Sequence, residues 1–278
     1  MCSRRLLTLG GSIAVSLLVA GSALAQLPSA DQKCIDGYNN FLRLVSAQAG
    51  KSATSCVKTS TKDASDPNTC IVTNTDGKIA GKAAKVNALY SGGKCTGAEV
   101  IQQGAPGTTG INAHVNAITN LMHDIFGSPV GALSNDKVDA KCLQKAVQRS
   151  TQAFTAVMLA ERGCKKNGMK SGAITSEATL DSTCGSMAQI DPANKAGSKL
   201  AKISADVSAA CAATTTPLPT LFDGLSPACT ANAAALGTCL EKRTKCQVCF
   251  TLNTADGESL DCDLFDDGLA NGSCFIPI

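Results

Sequence analysis

Residues 33–58 read KCIDGYNNFLRLVSAQAGKSATSCVK, and residues 141–166 read KCLQKAVQRSTQAFTAVMLAERGCKK. Each stretch opens with Lys-Cys and places its second cysteine 22 positions after the first. An aspartate stands two residues before each opening lysine, at Asp31 and Asp139. This self-similarity indicates an internal duplication, in which each copy is one supersecondary unit.

A second pair of matching segments follows the first. Residues 82–86, KAAKV, precede Cys95, and residues 199–203, KLAKI, precede Cys211 at almost the same distance. The cysteines of the two copies are therefore Cys34, Cys56, Cys70 and Cys95, and Cys142, Cys164, Cys184 and Cys211.

The apolar residues of both long stretches recur at intervals of three and four, which predicts amphipathic helices. They are Ile35, Tyr38, Phe41, Leu42 and Val45 in the first copy, and Leu143, Ala146, Val147, Phe154, Val157 and Met158 in the second. Residues 65–68 and 191–192 contain the Asp-Pro steps that break helices. Each unit is therefore predicted to be an antiparallel helical hairpin.

The hairpin also decides how the cysteines pair. Two cysteines 22 positions apart on one helix are separated by roughly 33 Å, whereas the Cα atoms of a disulfide lie within about 7 Å. The bridges must therefore join opposite arms and nest inside each other. The predicted outer bridges are Cys34–Cys95 and Cys142–Cys211, and the inner ones are Cys56–Cys70 and Cys164–Cys184.

Another amphipathic segment follows each hairpin, at residues 111–126 in the first copy and from about residue 231 to 246 in the second. The predicted fold is all-α: disulfide-stapled hairpins duplicated into a bundle of about six helices, with a short irregular cysteine-rich tail. The predicted divisions are a signal peptide (1–25), helical repeat 1 (26–133), helical repeat 2 (134–250) and a Cys/Asp-rich tail (251–278).

The first 25 residues have the three parts of a secretory signal. Arg4 and Arg5 precede the apolar residues 6–20, and residues 23–25, Ala-Leu-Ala, form the cleavage pattern. The apolar run is shorter than the roughly 20 residues of a membrane span, and no later segment qualifies. We therefore expect a secreted protein, extracellular or periplasmic, without a membrane span. Cleavage removes Cys2 and leaves 14 of the 15 cysteines, an even set typical of a disulfide framework.

The composition indicates how the protein is stabilised. The chain has seven Phe, two Tyr and no Trp, and its small apolar side chains bury little area each. Disulfides, at roughly 2 to 4 kcal/mol each, are expected to supply much of the stability.

The charges of the mature chain are almost balanced. Without Arg4 and Arg5, the chain has 23 basic residues (25 − 2) and 22 acidic ones. This balance gives no reason to expect a nucleic-acid partner. The sequence does not identify the partner, and a cell-surface molecule or another protein stays open.

The six remaining cysteines allow 15 connectivities, and the sequence cannot choose among them. They are Cys229, Cys239, Cys246, Cys249, Cys262 and Cys274. Cys246 and Cys249 form a C-x-x-C pair, which raises the alternative of a thiol-redox protein. Together with Cys262 and Cys274 they also have acceptable spacing for zinc. Structural disulfides are favoured, because the compartment is oxidising and no βαβ pattern is visible.

The acidic cluster in the tail is a candidate calcium site. Its carboxylates are Asp261, Asp263, Asp266 and Asp267, and Gly268 follows them. Ca²⁺ is a hard cation that prefers several oxygen ligands. The pattern is not an EF-hand, because Phe265 occupies the fifth position and no Glu stands at the twelfth. The other interpretation is an acidic turn between two disulfides.

Two segments resemble a group of uncharacterised cysteine-rich exported bacterial proteins. They are residues 141–146, KCLQKA, and the tail from Cys246 to Cys274, which has the pattern C-x2-C-x12-CDLFDDGLANGSC. The resemblance covers both repeats and the tail. It implies export and a repeat architecture, and it supplies no activity. The third helix of the first copy departs from the second by lacking cysteines.

No catalytic constellation is recognisable. The only histidines, His114 and His123, stand nine residues apart on a predicted helix, so they point to opposite sides and cannot form an i, i+4 metal pair. The leading hypothesis is therefore a non-enzymatic, structural or binding protein of the cell envelope or extracellular space. The alternatives are the thiol-redox protein and a calcium-stabilised adhesin.

Overall fold

The computed structural model describes residues 26–71, 77–96 and 107–274, and these ranges contain α-helices and no β-strand. The predicted signal peptide, with Arg4 and Arg5, lies outside the described residues. Six helices are long: α1 (Ser29–Asp63), α2 (Lys78–Ser91), α3 (Thr108–Phe126), α4 (Lys137–Ser171), α7 (Lys195–Cys211) and α9 (Ala233–Asp256). Four are short: α5 (Glu177–Cys184), α6 (Met187–Ile190), α8 (Leu218–Leu221) and α10 (Cys262–Asp267). The predicted all-α, disulfide-rich class is confirmed.

The first hairpin joins α1 to α2. Its turn begins at Ala64, whose left-handed backbone (φ 57°) ends α1. The side chain of Asp66 then accepts a hydrogen bond from the Asn68 backbone N–H and opens a short 3-10 turn over Pro67–Thr69. Asp66 and Pro67 of the predicted helix-breaking segment therefore form the turn between the two arms.

The second hairpin joins α4 to α7 through α5 and α6. Asp136 caps α4 by accepting from the N–H groups of Val138 and Asp139, as expected of aspartate at a helix start. Gly172, with φ 77°, ends the helix. Both α1 and α4 are 35 residues long.

The nested disulfides predicted from spacing are confirmed. Their Cα–Cα distances run from 4.7 to 6.0 Å, which is the normal range. The bridges are Cys34–Cys95, Cys56–Cys70, Cys142–Cys211 and Cys164–Cys184.

The two hairpins pack on each other through their long arms, α1 and α4. A Cβ atom on Gly50 would lie 2.8 Å from the Cβ of Thr151, so the glycine permits a close approach of the two helices. Helix α3 packs against α1 and α9, and α9 also contacts α4 and α7. Among the described helices, none combines the length and apolar character that a membrane span requires.

The structure corrects the predictions for the C-terminal region. The last long helix runs to Asp256, so the boundary proposed at residue 250 falls inside it. Leu252 and Ala255 are buried and continue the apolar stripe, and the helix ends only at Gly257 (φ 69°). The tail contains one short helix, α10, which Asp261 caps, and its other described residues are irregular.

Candidate functional site

A lysine and three carboxylic acids are buried together where α4 and α9 approach their C-terminal ends. Glu161 and Lys165 lie one turn apart on α4, Asp256 is the last residue of α9, and Glu258 follows two positions later. Their exposed fractions are 1%, 1%, 1% and 4%. We call these four residues the buried charge cluster.

The Lys165 ammonium contacts all three carboxyl groups. Its Nζ atom lies 2.6 Å from Glu161 Oε1, 2.7 Å from Asp256 Oδ2 and 3.2 Å from Glu258 Oε1. The Glu161 contact follows from i, i+4 spacing on one helix. The other two come from a different part of the chain, because the left-handed Gly257 ends α9 between Asp256 and Glu258. The lysine therefore links α4 to the end of α9.

The buried charge cluster is unbalanced when every member is ionised, because one positive charge meets three negative ones. Burial, together with the neighbouring carboxylates, raises the pKa of Glu161 to about 8 and that of Glu258 to about 7, although Lys165 opposes the shift. Burial lowers the pKa of Lys165, but Asp256, Glu161 and Glu258 outweigh it and raise the pKa well above its ordinary value. Near neutral pH, the raised pKa values favour the protonated form of Glu161 and leave Glu258 partly protonated, which brings the net charge of the cluster towards zero.

The three carboxyl groups of the cluster share the Lys165 ammonium as their donor. One oxygen of each lies 2.6 to 3.2 Å from its nitrogen, and no other hydrogen-bond partner for their oxygens is found within the described ranges. The ammonium has three N–H groups for six carboxyl oxygens. The cluster is therefore short of donors, which is unusual for buried polar groups.

A neutral histidine and a tyrosine lie near the cluster. His114 Nδ1 is 2.5 Å from Ser46 Oγ, and the imidazole is 1% exposed. Burial, with a further contribution from Lys165, lowers the pKa of His114 to about 3, so the ring is uncharged. Burial and the nearby Asp256 raise the pKa of Tyr38. Because these groups are closed off from solvent, they are not arranged to receive a substrate.

The four predicted calcium ligands of the tail are not brought together. Within the described residues, no three of them place carboxylate oxygens within 4.8 Å of one another. Asp261 caps α10, Asp263 accepts from the N–H groups of Gly272 and Cys274, Asp266 accepts from Ser273 Oγ, and Asp267 contacts Lys242 and Asn271. The acidic segment is thus a short helix and the loop after it, and its carboxylates accept hydrogen bonds from the protein itself.

The tail cysteines form three disulfides, which the sequence could not assign. They are Cys229–Cys239, Cys246–Cys274 and Cys249–Cys262. A C-x-x-C redox pair would join its two sulfurs to each other when oxidised. Here Cys246 and Cys249 each bond to a cysteine of the tail, and they are only 1% and 0% exposed. The pair therefore fastens the tail to α9, and its sulfurs have no access to a thiol partner.

An uncharged groove of about 350 Å³ lies on the surface between α3 and α9. Its α3 wall carries Asn112, Asn116 and Asn120, which repeat every four residues and are exposed. The rest of the lining is Thr109, Ala113, Ala117, Gln247, Phe250, Thr251 and Thr254. We call this feature the amide groove. It offers carboxamide and hydroxyl groups, each a donor and an acceptor, and contains no charged side chain.

Sequence reasoning missed both the buried charge cluster and the amide groove. Glu161 and Lys165 resemble an ordinary surface ion pair until the apolar stripe of α4 is followed further. The stripe runs through Val157 and Met158 to Met169, and the two charged residues lie on it. Charged residues at core positions were the available signal. The four-residue spacing of Asn112, Asn116 and Asn120 can also be read from the sequence. The α9 residues that line the other side of the groove cannot.

Comparisons with protein-family models, with curated proteins and with solved structures gave no match. The similarity of residues 141–146 and of the tail to cysteine-rich exported proteins therefore stays a prediction. Function must be argued from the geometry of the described residues.

Proposed function

We propose that this is an exported, non-enzymatic binding protein of the cell envelope or extracellular space, and that the amide groove is its ligand-contacting surface. The groove carries the proposal, because its wall presents the three exposed asparagines of α3 opposite the exposed Thr254 of α9. Export is supported by the signal-like residues 1–25 and by seven disulfides, which persist in oxidising compartments.

The chemistry of the amide groove favours an uncharged, polyhydroxylated ligand such as a glycan. Asn112 and Asn116 supply donors and acceptors that match sugar hydroxyls, the exposed Thr254 adds a hydroxyl oxygen, and the half-buried Phe250 offers apolar contact. A phosphorylated or acidic ligand would find no cation in the lining. The disulfides and the buried core favour a preformed surface, which reduces the entropy cost of binding.

Glycan binding by the mature protein tests the proposal. We expect binding to an array of neutral envelope and extracellular oligosaccharides, followed by titration calorimetry with the best one. Asn116→Ala removes a carboxamide from the middle of the groove and should weaken binding roughly tenfold, the value of about one hydrogen bond. Asn167→Ala, at an exposed asparagine of α4 outside the groove, is the matched control. Absence of any glycan ligand, or equal weakening by the two variants, would overturn the assignment.

The two alternatives have less support. A thiol-redox protein needs an accessible dithiol, and Cys246 and Cys249 are buried in separate bridges. A calcium-stabilised adhesin needs converging oxygen ligands, and the carboxylates of Asp263, Asp266 and Asp267 have protein partners instead.

A further inference from the structure

The buried charge cluster places an amine and a carboxyl group from two helices in contact, shielded from water. Lys165 Nζ and Asp256 Oδ2 are 2.7 Å apart, and both side chains are 1% exposed. Glu161 and Glu258 contact the same nitrogen at 2.6 and 3.2 Å. The cluster therefore holds a nucleophile, an electrophile and two further carboxyl groups that can move protons.

We propose that Lys165 and Asp256 condense to an isopeptide bond that links α4 covalently to the end of α9. The Nζ–Cγ bond forms, and one Cγ–O bond of Asp256 breaks. The ammonium gives up two protons, and the departing carboxylate oxygen leaves with them as water. One positive and one negative charge disappear, and no oxidant, reductant or other reactant is consumed.

Glu161 and Glu258 act as positioning and proton-relay residues in this step. A glutamate carboxylate takes a proton from the ammonium to free the amine and, now a carboxylic acid, passes that proton to the leaving oxygen. The second proton that the nitrogen loses as the amide forms reaches the same oxygen by the same route. Both glutamates titrate near neutral pH in the folded protein, which suits a group that must accept and release a proton. They end in their starting states.

Two features favour condensation at this place. Contact between groups held in a rigid site replaces an encounter in solution, which accelerates intramolecular reactions strongly. Burial penalises the charged reactants far more than a neutral amide. The amide that forms presents one N–H, which a glutamate carboxylate can accept, and one C=O, to which a protonated glutamate can donate.

Asp256 is the expected partner because it comes from a separate helix, 91 residues (256 − 165) beyond the lysine. The Glu161 contact is already explained by i, i+4 spacing. Glu258 is farther from the nitrogen than Asp256 is, at 3.2 against 2.7 Å.

Mass spectrometry of the exported wild-type protein tests the proposal without any variant. After full reduction and denaturation, we expect a mass one water below that of the sequence from the observed N-terminus. A tryptic map should show no cleavage after Lys165 and a branched peptide containing Lys165 and Asp256. Lys165→Arg and Asp256→Ala should regain the missing water. Asp256→Asn should form the same amide with loss of ammonia.

Other outcomes would overturn the proposed bond between Lys165 and Asp256. A full-length mass without loss of water, with trypsin cleaving after Lys165, excludes the bond. A water loss confined to Asp256-Gly257 with Lys165 unmodified is a cyclic imide, which Asp-Gly sequences form by themselves. A cross-link from Lys165 to Glu161 or Glu258 contradicts the assigned partner. Glu258→Gln gives a separate readout, because it should slow the loss of water in freshly made protein while the Lys165–Asp256 linkage stays the product.

Discussion

At the residue scale, one buried carboxylate joins segments of the chain that are far apart in sequence. Asp139 is fully buried in the first turn of α4, and its oxygens accept hydrogen bonds from the Thr215 N–H at 2.9 Å, the Thr216 N–H at 3.4 Å and Ser134 Oγ at 3.0 Å. Burial alone would raise the pKa of Asp139, but these hydrogen bonds hold it below its ordinary value. Asp139 belongs to the sequence repeat, and in the structure it holds the segment after α7 against the start of α4.

Asp139→Ala should therefore destabilise the protein by about 3 kcal/mol, since several donors to a charged group are left unpaired. The control is Asp136→Ala, which removes the exposed cap of the same helix and should cost about 1 kcal/mol. Urea unfolding of the disulfide-intact proteins measures both values. Equal losses would mean that Asp139 serves only the helix start.

The buried charge cluster predicts how stability depends on pH. Glu161 and Glu258 have pKa values raised from 4.5 to about 8 and about 7 in the folded protein. These two groups therefore bind more protons in the folded protein than in the unfolded one over that pH range, so their contribution to stability falls as the pH rises through it. The slope should reach about 1.4 kcal/mol per pH unit for each proton involved.

Chemical unfolding at a series of pH values measures this dependence. Glu161→Gln removes one titrating group and should flatten the curve. Glu177→Gln, at a partly exposed glutamate in the first turn of α5 outside the cluster, is the matched control. A stability that rises between pH 5 and pH 8 would contradict the assigned direction of the pKa shifts.

At the element scale, the hairpins could be predicted and the tail could not, for physical reasons. Cysteines 22 positions apart on a helix are too distant to bond, so Cys34 and Cys142 had only the opposite arm to pair with. No such constraint acts on six cysteines close together in sequence, and three of them, Cys239, Cys246 and Cys249, share α9. The sequence pattern predicts an end of this helix near Cys246, whereas α9 runs to Asp256 through Asn253 and Thr254, which are weak helix formers. Burial of Leu252 and Ala255 overrides that propensity.

The tail also gives a prediction about metal removal. Because Asp263 and Asp267 are occupied by protein donors, we expect the melting temperature to be the same in millimolar Ca²⁺ and in excess EDTA. Asp263→Ala should lower it in both solutions, since the N–H groups of Gly272 and Cys274 lose their acceptor. A rise in melting temperature with Ca²⁺ that Asp263→Ala abolishes would restore the calcium site.

At the scale of the whole molecule, the disulfides and the helix packing join the helices into one scaffold. Helices α1 and α4 form its centre, and the tail is fastened to α9 by two disulfides. All 14 cysteines in the described ranges are paired. The chain compensates for its few aromatic residues with these links, and the proposed isopeptide bond would add one more between α4 and α9. A scaffold of this kind suits presentation of a fixed surface such as the amide groove.

Disulfide mapping of the mature protein tests this account most directly. The protein is digested at acidic pH without reduction, and the linked peptides are identified by mass spectrometry. The account predicts no free thiol among the 14 cysteines and seven links: 34–95, 56–70, 142–211, 164–184, 229–239, 246–274 and 249–262. A Cys246–Cys249 link, or a Cys34–Cys56 link, would contradict it.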